Sequence, residues 1–253
     1  MKVRPGIEAA ALTDLGCLRQ NNEDNYAYWE SQLDSDFERL GLLAAVADGM
    51  GGAEGGQFAS RIAVDAVCET YAAAGSEAPQ ARLFSAFLEA NHRVHQEAQA
   101  KPLLHGMGTT LTACAIVGRE LHFAHVGDSR LLLVRNRECR QLTRDHSLVA
   151  RLIESGTIRP EEAETHPQKH VLTAAIGVVE DLQPDVPASP VPLEAEDVLV
   201  LCTDGLWGQM TLGEIAEIVS KASPQEACKT LVQLAKDRGG PDNITVQILH
   251  LSA

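Results

Sequence analysis

The 253-residue chain predicts an α+β fold built on antiparallel sheets. Three observations lead there. Strand-like and helix-like runs come in blocks, and strict β-α-β alternation is missing. Apolar runs at 109–117, 120–126, 130–135 and 138–142 are separated by short turns, the spacing of an antiparallel meander. Prolines 184, 187, 190 and 192 confine any strand between 182 and 192 to a sheet edge. Hydrophobic residues make up 45% of the chain and aromatics only 4%, so the core must be mostly Leu, Val, Ile and Ala. No composition shift marks a boundary, so residues 1–253 are expected to form one domain.

The elements follow in order. Strands are expected at 7–13, 26–30 and 42–47, then a helix at about 56–74. Leu83, Phe84, Phe87, Leu88 and Val94 repeat at helical spacing and predict a second helix over about 80–100. After the meander, residues 147–177 mix short helical pieces with turns at Gly156, Pro160 and Pro167. A short buried strand is expected at 197–203. Two helices then carry explicit start signals. Thr211-Leu-Gly-Glu214 and Ser223-Pro-Gln-Glu226 both have the capping-box form, the second with proline at the first helical position. A strand at 244–250 closes the chain.

Composition excludes several functional classes. With 21 Lys+Arg against 35 Asp+Glu the formal charge is −14, which argues against nucleic-acid binding and against a polybasic membrane anchor. No apolar run approaches the roughly 18 residues of a membrane span, and Met1 to Gln20 lacks a secretory pattern, so a cytoplasmic location is expected. The six cysteines form no C-x-x-C pair, and Cys114 and Cys202 lie inside apolar runs; free thiols account for them better than a disulfide framework or a zinc site.

Carboxylates at the mouths of apolar strands stand out. Leu42 to Ala47 runs into Asp48-Gly49, Leu121 to Val126 into Gly127-Asp128, and Val198 to Cys202 into Thr203-Asp204-Gly205. Asp242-Asn243 leads into Ile244 to Ile248, and Glu23-Asp24 precede the strand at 26–30. Taken singly, each is a turn, because Asp and Gly are turn formers. Taken together, clustered acids repel one another unless a cation holds them. Hard oxygen ligands without His or Cys companions suit Mg²⁺ or Mn²⁺.

The order of motifs resembles the PPM (type-2C) family of metal-dependent serine/threonine protein phosphatases, in its bacterial form. The matching segments are Arg19-Gln-Asn-Asn-Glu23-Asp24, Val46-Ala-Asp48-Gly49-Met50-Gly51-Gly52, Gly108-Thr109-Thr110, Val126-Gly127-Asp128-Ser129-Arg130, Leu142-Thr143-Arg144-Asp145-His146-Ser147, Leu172-Thr173, Cys202-Thr203-Asp204-Gly205-Leu206 and Asp242-Asn243-Ile244-Thr245. The resemblance implies a four-layer αββα sandwich, two antiparallel sheets flanked by helices, with a metal cleft at one end and a variable flap over about 147–177. Carried over, Asp48 would bridge two metals and the Gly49 carbonyl would ligate one. Asp204 and Asp242 would complete the site, with Glu23 and Asp24 near it or acting through water. Asp128 with Asp204 would hold a third, weaker ion, and Arg19 would grip the substrate phosphate. The implied reaction is direct attack of metal-bound water on phosphoserine or phosphothreonine of proteins. A cognate Ser/Thr kinase as partner and a monomeric state are implied with it. The competing readings are a phosphatase of small phosphate esters and an inactive, metal-binding regulator that holds phosphoproteins. No cysteine heads a C-x₅-R loop, in keeping with direct hydrolysis.

The chain departs from the family at accessory positions. Met50 and Ala53 stand where members carry the histidine assigned to leaving-group protonation, Gly56-Gln57 replaces Gly-Glu, and Ala174 replaces an arginine. Metal-bound water is the first candidate for the acid, and His146 a lesser one. His122 and His125, at odd spacing in one strand, are expected on opposite faces. His92 and His95 are expected at the surface and Met107 and Met210 in packing roles; Trp207 is expected in the core, with shaping of the cleft as its alternative. The flap's Arg144, Arg151, Arg159 and Lys169, set among Glu154, Glu161, Glu162 and Glu164, read equally as a solvated surface and as a reader of substrate charge.

Overall fold

The structure is a computed structural model and describes residues 6–51, 54–73, 75–163 and 165–252. In chain order the elements are β1 (Ile7–Asp14), β2 (Asp24–Glu30), α1 (Asp34–Leu40), β3 (Leu42–Met50), α2 (Gly55–Ala73), α3 (Pro79–Ala100), β4 (Gly108–Thr109), β5 (Leu111–Val117), β6 (Glu120–Val126), β7 (Arg130–Arg135), β8 (Glu138–Gln141), α4 (Leu148–Glu154), α5 (Pro160–Ala163), β9 (Val191–Pro192), β10 (Val198–Cys202), α6 (Asp204–Trp207), α7 (Leu212–Val219), α8 (Pro224–Asp237) and β11 (Ile244–Leu251).

The strands form two antiparallel sheets, ordered β1-β11-β10-β7-β8 and β2-β3-β5-β6-β9, with β4 added beside the end of β3. Alternation along each strand sorts its side chains into layers. Leu43, Ala45 and Ala47 of β3 pack with Ala59, Ala63, Leu83 and Phe87 of α2 and α3. Leu42, Ala44 and Val46 face the other way, against Leu131, Leu133, Leu199, Leu201 and Leu249 of the opposite sheet. Beyond that sheet, Val198, Val200, Ile244 and Val246 pack on Ile215, Leu231 and Val232 of α7 and α8. The result is the expected αββα sandwich.

Both capping boxes form: Thr211 and Ser223 each accept from the backbone N–H three residues on, and Glu214 and Glu226 reach back to the cap residue. The proline-rich stretch ends in β9, paired with Glu120 and Leu121 at the sheet edge. The continuous meander does not form. Gly118 turns β5 into β6, and Asn136-Arg137 turns β7 into β8, but the two hairpins belong to different sheets. Between them Gly127, Asp128 and Ser129 carry the chain across the sandwich. Gly127 has φ +109°, and a Cβ there would lie 2.6 Å from the Thr110 side chain, so only glycine fits this crossing. The run expected at 109–117 also breaks at Thr110, which leaves β4 beside β3. Two short helices, α1 and α6, were not expected.

The two inner sheet faces change character along their length. One end is Leu, Val, Ile and Ala. The other is buried but polar: Asp24, Thr112, His125, Thr203, Thr245 and Gln247. That end is where the motifs converge.

Candidate active site

Asp24 and Asp48 are direct cross-strand partners in the β2–β3 pair and share the inter-sheet face. Backbone bonds fix Asp48. Its N–H donates to Thr110 Oγ1 at 2.8 Å, and its carbonyl accepts from Thr109 Oγ1 and the Thr110 N–H, both at 2.8 Å. Asp24 is only 4% exposed. Its Oδ2 accepts from Thr203 Oγ1 of the facing sheet at 2.8 Å, while its Oδ1 has no hydrogen-bond partner. Asp204 opens α6 immediately after β10, and its buried Oδ1 is also without a partner. Asp128 is buried in the crossing between the sheets. Asp242 precedes β11 and accepts from Arg19 NH2 at 2.6 Å.

The charges feel one another. Burial, then the Thr245 and Thr203 hydrogen bonds working the other way, then the Asp204 and Asp242 charges, leave Asp24 at about 7. Burial and the neighbouring Asp24, Asp204, Asp128 and Asp242 hold Asp48 well above the carboxylate range. Burial, Asp204 and Asp145 push Asp128 up to about 7 against the opposing Arg130. Burial raises Glu23, opposed by Arg19 and helped by Asp242. Among the described residues no three His, Cys, Asp or Glu side chains close into a ready-made ligand shell. What they form is an acidic end of the sandwich with orphaned oxygens and unrelieved repulsion. That donor set, all hard oxygens, fits a divalent Mg²⁺ or Mn²⁺ ion.

The loops that carry these groups are stitched together. Asn243 accepts from the Glu23 N–H at 2.8 Å and donates to the carbonyls of Leu15 and Asn21, each at 3.0 Å. Gly49 and Gly56 bring two backbones into contact: a Cβ on Gly49 would stand 2.0 Å from the Gly56 carbonyl oxygen. Arg19 remains half exposed while its guanidinium holds Asp242, whose hydrogen bond raises the arginine further.

The accessory residues distribute less simply. Met50 ends β3, two residues past Asp48; Gly52 and Ala53 lie outside the described residues, as does Glu164. His146 is not aimed at the acids. Its Nδ1 accepts from the Gly127 N–H at 3.3 Å and its Nε2 faces Asp185 at 3.1 Å. His170 does reach the cluster, with Nδ1 3.9 Å from Asp204 Oδ2, and that contact raises its pKa. The 147–177 segment closes on itself through the Ser147–Leu172 bridge and is anchored beside β4 through the Thr109–Ile176 bridge. His125 is fully buried and pushed down to about 4 by burial first. His92 is exposed; His95 is part-buried against the Gly177 carbonyl at 3.1 Å.

Trp207 departs from the expectation of simple packing. Its indole N–H donates to the Asp128 carbonyl at 2.9 Å, and Arg130 stacks 3.6 Å from its ring centroid. The threonines at 110, 203 and 245 and Asn243 were visible only as motif letters. Their partners come from the other sheet or from far along the chain, for which local spacing carries no signal.

Comparison with known proteins agrees with this layout. The sequence profile of the family described as protein phosphatase 2C matches residues 19–238. Protein phosphatase PhpP of Streptococcus pneumoniae is 39% identical over 253 residues, covering 97% of this chain and 98% of that protein. The crystal structure of the Mycobacterium tuberculosis serine/threonine phosphatase PstP/Ppp superposes with a TM-score of 0.87 at 33% identity, covering 98% of this chain and all of that one. A structure of the PstP catalytic domain in complex with two manganese ions superposes with a TM-score of 0.84 at 32% identity, covering 98% and 99% of the two chains. With the family profile spanning most of the chain and relatives matching nearly its whole length, this protein belongs to the protein phosphatase 2C family.

Proposed function

We propose that the acidic end of the sandwich is the catalytic centre of a Mn²⁺- or Mg²⁺-dependent serine/threonine protein phosphatase. The observation that carries this is the pair of buried, unpartnered carboxylate oxygens, Asp24 Oδ1 and Asp204 Oδ1, in a cluster whose charges raise the pKa of Asp24 and Asp48. A cation from solution is the group that relieves both. Asp48, Asp204 and Asp242, with the Gly49 carbonyl, would hold two core ions, and Asp128 with Asp204 a third, weaker one. Glu23 and Asp24 support the set from β2 and the residue before it. Divalent cations bound there supply Lewis acidity, lowering the pKa of a water ligand and neutralising phosphoryl oxygens.

The chain's own groups do the rest. Arg19, half exposed beside Asp242, binds and orients the phosphate through its planar fork of donors. Thr109 and Thr110 fix the Asp48 backbone, so this carboxylate needs little rearrangement on loading. Hydrolysis is direct, without a phosphocysteine: Cys114 and Cys202 are buried and pushed up to about 12, far from thiolate formation. Substrates are phosphorylated proteins, presented beside the 147–177 flap of a single catalytic domain. The relatives' names support this reading. A cognate Ser/Thr kinase, a monomeric state and a cytoplasmic location complete the proposal; no described helix is long and apolar enough to cross a membrane.

The test is phosphate release from a phosphothreonine peptide by metal-stripped protein titrated with Mn²⁺, with Asp204→Ala in parallel. Activity restored by metal in the wild type and absent from the variant is expected. Equal activity in both would overturn the assignment.

A further inference from the structure

The crossing between the sheets is held mainly by side chains, with one backbone N–H, on its polar backbone groups. The Gly127 N–H donates to His146 Nδ1, and its carbonyl accepts from the His146 N–H at 2.6 Å. The Ser129 carbonyl accepts from Thr112 Oγ1 at 3.0 Å, and Ser129 Oγ meets Thr110 Oγ1 at 2.7 Å. The carbonyl of Asp128 itself is taken by the indole N–H of Trp207 at 2.9 Å. Trp207 is the last residue of α6, the single-turn helix that Asp204 opens. One side chain therefore ties the turn carrying Asp128 to the turn carrying Asp204.

The tie is itself braced. The Arg130 guanidinium lies 3.6 Å from the indole centroid. Asp145 holds that guanidinium in two bonds, at 3.2 and 2.7 Å, and accepts from Gln141 Nε2 at 2.7 Å. An arginine so fixed presses on the ring face as a cation–π partner and limits how the indole can turn. Bracing is needed because Asp128 and Asp204 are like charges at the end of the sandwich, and without a cation they drive their two turns apart.

We propose that Trp207 is a positioning residue: with Arg130 and Asp145 behind it, its indole sets the spacing of Asp128 and Asp204 and thereby the affinity of that pair for its divalent cation. The inference rests on the reading that these carboxylates hold a cation. Loss of the N–H removes one neutral hydrogen bond, so affinity at this pair falls about fivefold while sites centred on Asp48 keep theirs.

The experiment is a calorimetric Mn²⁺ titration of metal-stripped wild type, Trp207→Phe, Asp128→Asn and Asp48→Ala, followed in parallel by tryptophan emission. Phenylalanine keeps an aromatic ring under Arg130 and removes the N–H together with the rest of the second ring. The weakest Mn²⁺ step should vanish in Asp128→Asn and weaken about fivefold in Trp207→Phe, with the tighter steps unchanged. Quenching by the paramagnetic ion should follow that weak step and disappear in Trp207→Phe, which retains only Trp29, packed 6.3 Å from Tyr71 in the core. If Trp207→Phe does not fold, Arg130→Met, which keeps the indole and removes the brace, should weaken the same step. A weak step of wild-type affinity in the folded variant would overturn the tie. Mn²⁺ binding indifferent to both Asp48→Ala and Asp128→Asn would instead overturn the reading of the cluster beneath it.

Discussion

The two ends of β10 carry carboxylates in opposite circumstances, one buried whole and one part-buried with a single buried oxygen. Asp197, one residue before the strand, is 1% exposed, and the chain supplies its counter-ion: Arg135 donates through Nε at 2.8 Å and NH2 at 2.7 Å, and the Glu194 N–H adds a third bond at 2.8 Å. Asp204, past the other end, has an oxygen with no donor, and the basic side chain paired with it is His170, 3.9 Å away on the 147–177 segment. A charge buried for structure is matched from within, because an unmatched one costs several kcal/mol. A carboxylate oxygen left without a donor among three like neighbours, Asp24, Asp48 and Asp128, calls for a partner from solution. The contrast separates the structural end of the sandwich from the proposed catalytic end.

Deleting the catalytic end should have the largest effect. Asp48→Asn removes the carboxylate proposed to serve both core ions, and kcat/KM on a phosphothreonine peptide should fall at least about 10³-fold, the several kcal/mol that a bound cation contributes. The same variant should melt no lower than metal-free wild type in chelator, because it relieves repulsion. A lower midpoint would mean that Asp48 is a structural acid like Asp197. At the other end, Arg135→Met strands Asp197 and should cost about 3 kcal/mol in denaturant unfolding, the low end for a broken buried pair because Arg135 is 31% exposed. Activity per folded molecule should not change.

The acidic side of this contrast was legible in the sequence, the Asp197–Arg135 side was not, and the illegible part has a physical cause. The capping boxes at Thr211 and Ser223 are local hydrogen bonds spanning three residues, so the letters specify them. Asp48, Asp128, Asp204 and Asp242 announce themselves because each ends or begins an apolar run. The jump of β7 into the other sheet is different. A period of two tells which residues share a face and not which sheet the strand joins, so the meander reading failed at Gly127. Asp24 was placed at the margin for the same reason. Its Thr203 partner lies 179 residues away on the opposite sheet, and its burial depends on that contact. The role of Trp207 was hidden likewise, since its acceptor is a backbone carbonyl 79 residues earlier.

Two smaller effects sharpen the comparison. Arg19→Ala should raise KM for a small aryl phosphate about tenfold while lowering kcat less, because it removes charge-assisted hydrogen bonds to the phosphate. Steady-state kinetics at saturating Mn²⁺ read this, and an unchanged KM contradicts the clamp. Thr211→Ala, in the α7 cap remote from the acids, should cost only about 1 kcal/mol and lower the melting midpoint by roughly 2–4 °C with no change in KM.

The most direct test of the central claim is the melting midpoint from pH 5 to 8, with chelator and with Mn²⁺. Asp24 and Asp128 stand at about 7 in the fold against an ordinary 3.8, and Asp48 is likewise held well above 3.8. Between those values the metal-free fold holds protons that the unfolded chain has released, so its stability must fall as pH rises from about 4 to about 7, and further as Asp48 ionises. Mn²⁺ compensates the same carboxylates in ionised form and adds stability that grows as they deprotonate. The account predicts a metal-free midpoint that declines with pH and a Mn²⁺ increment that widens. A metal-free midpoint level across the range, with an increment equal at pH 5 and pH 8, would contradict it.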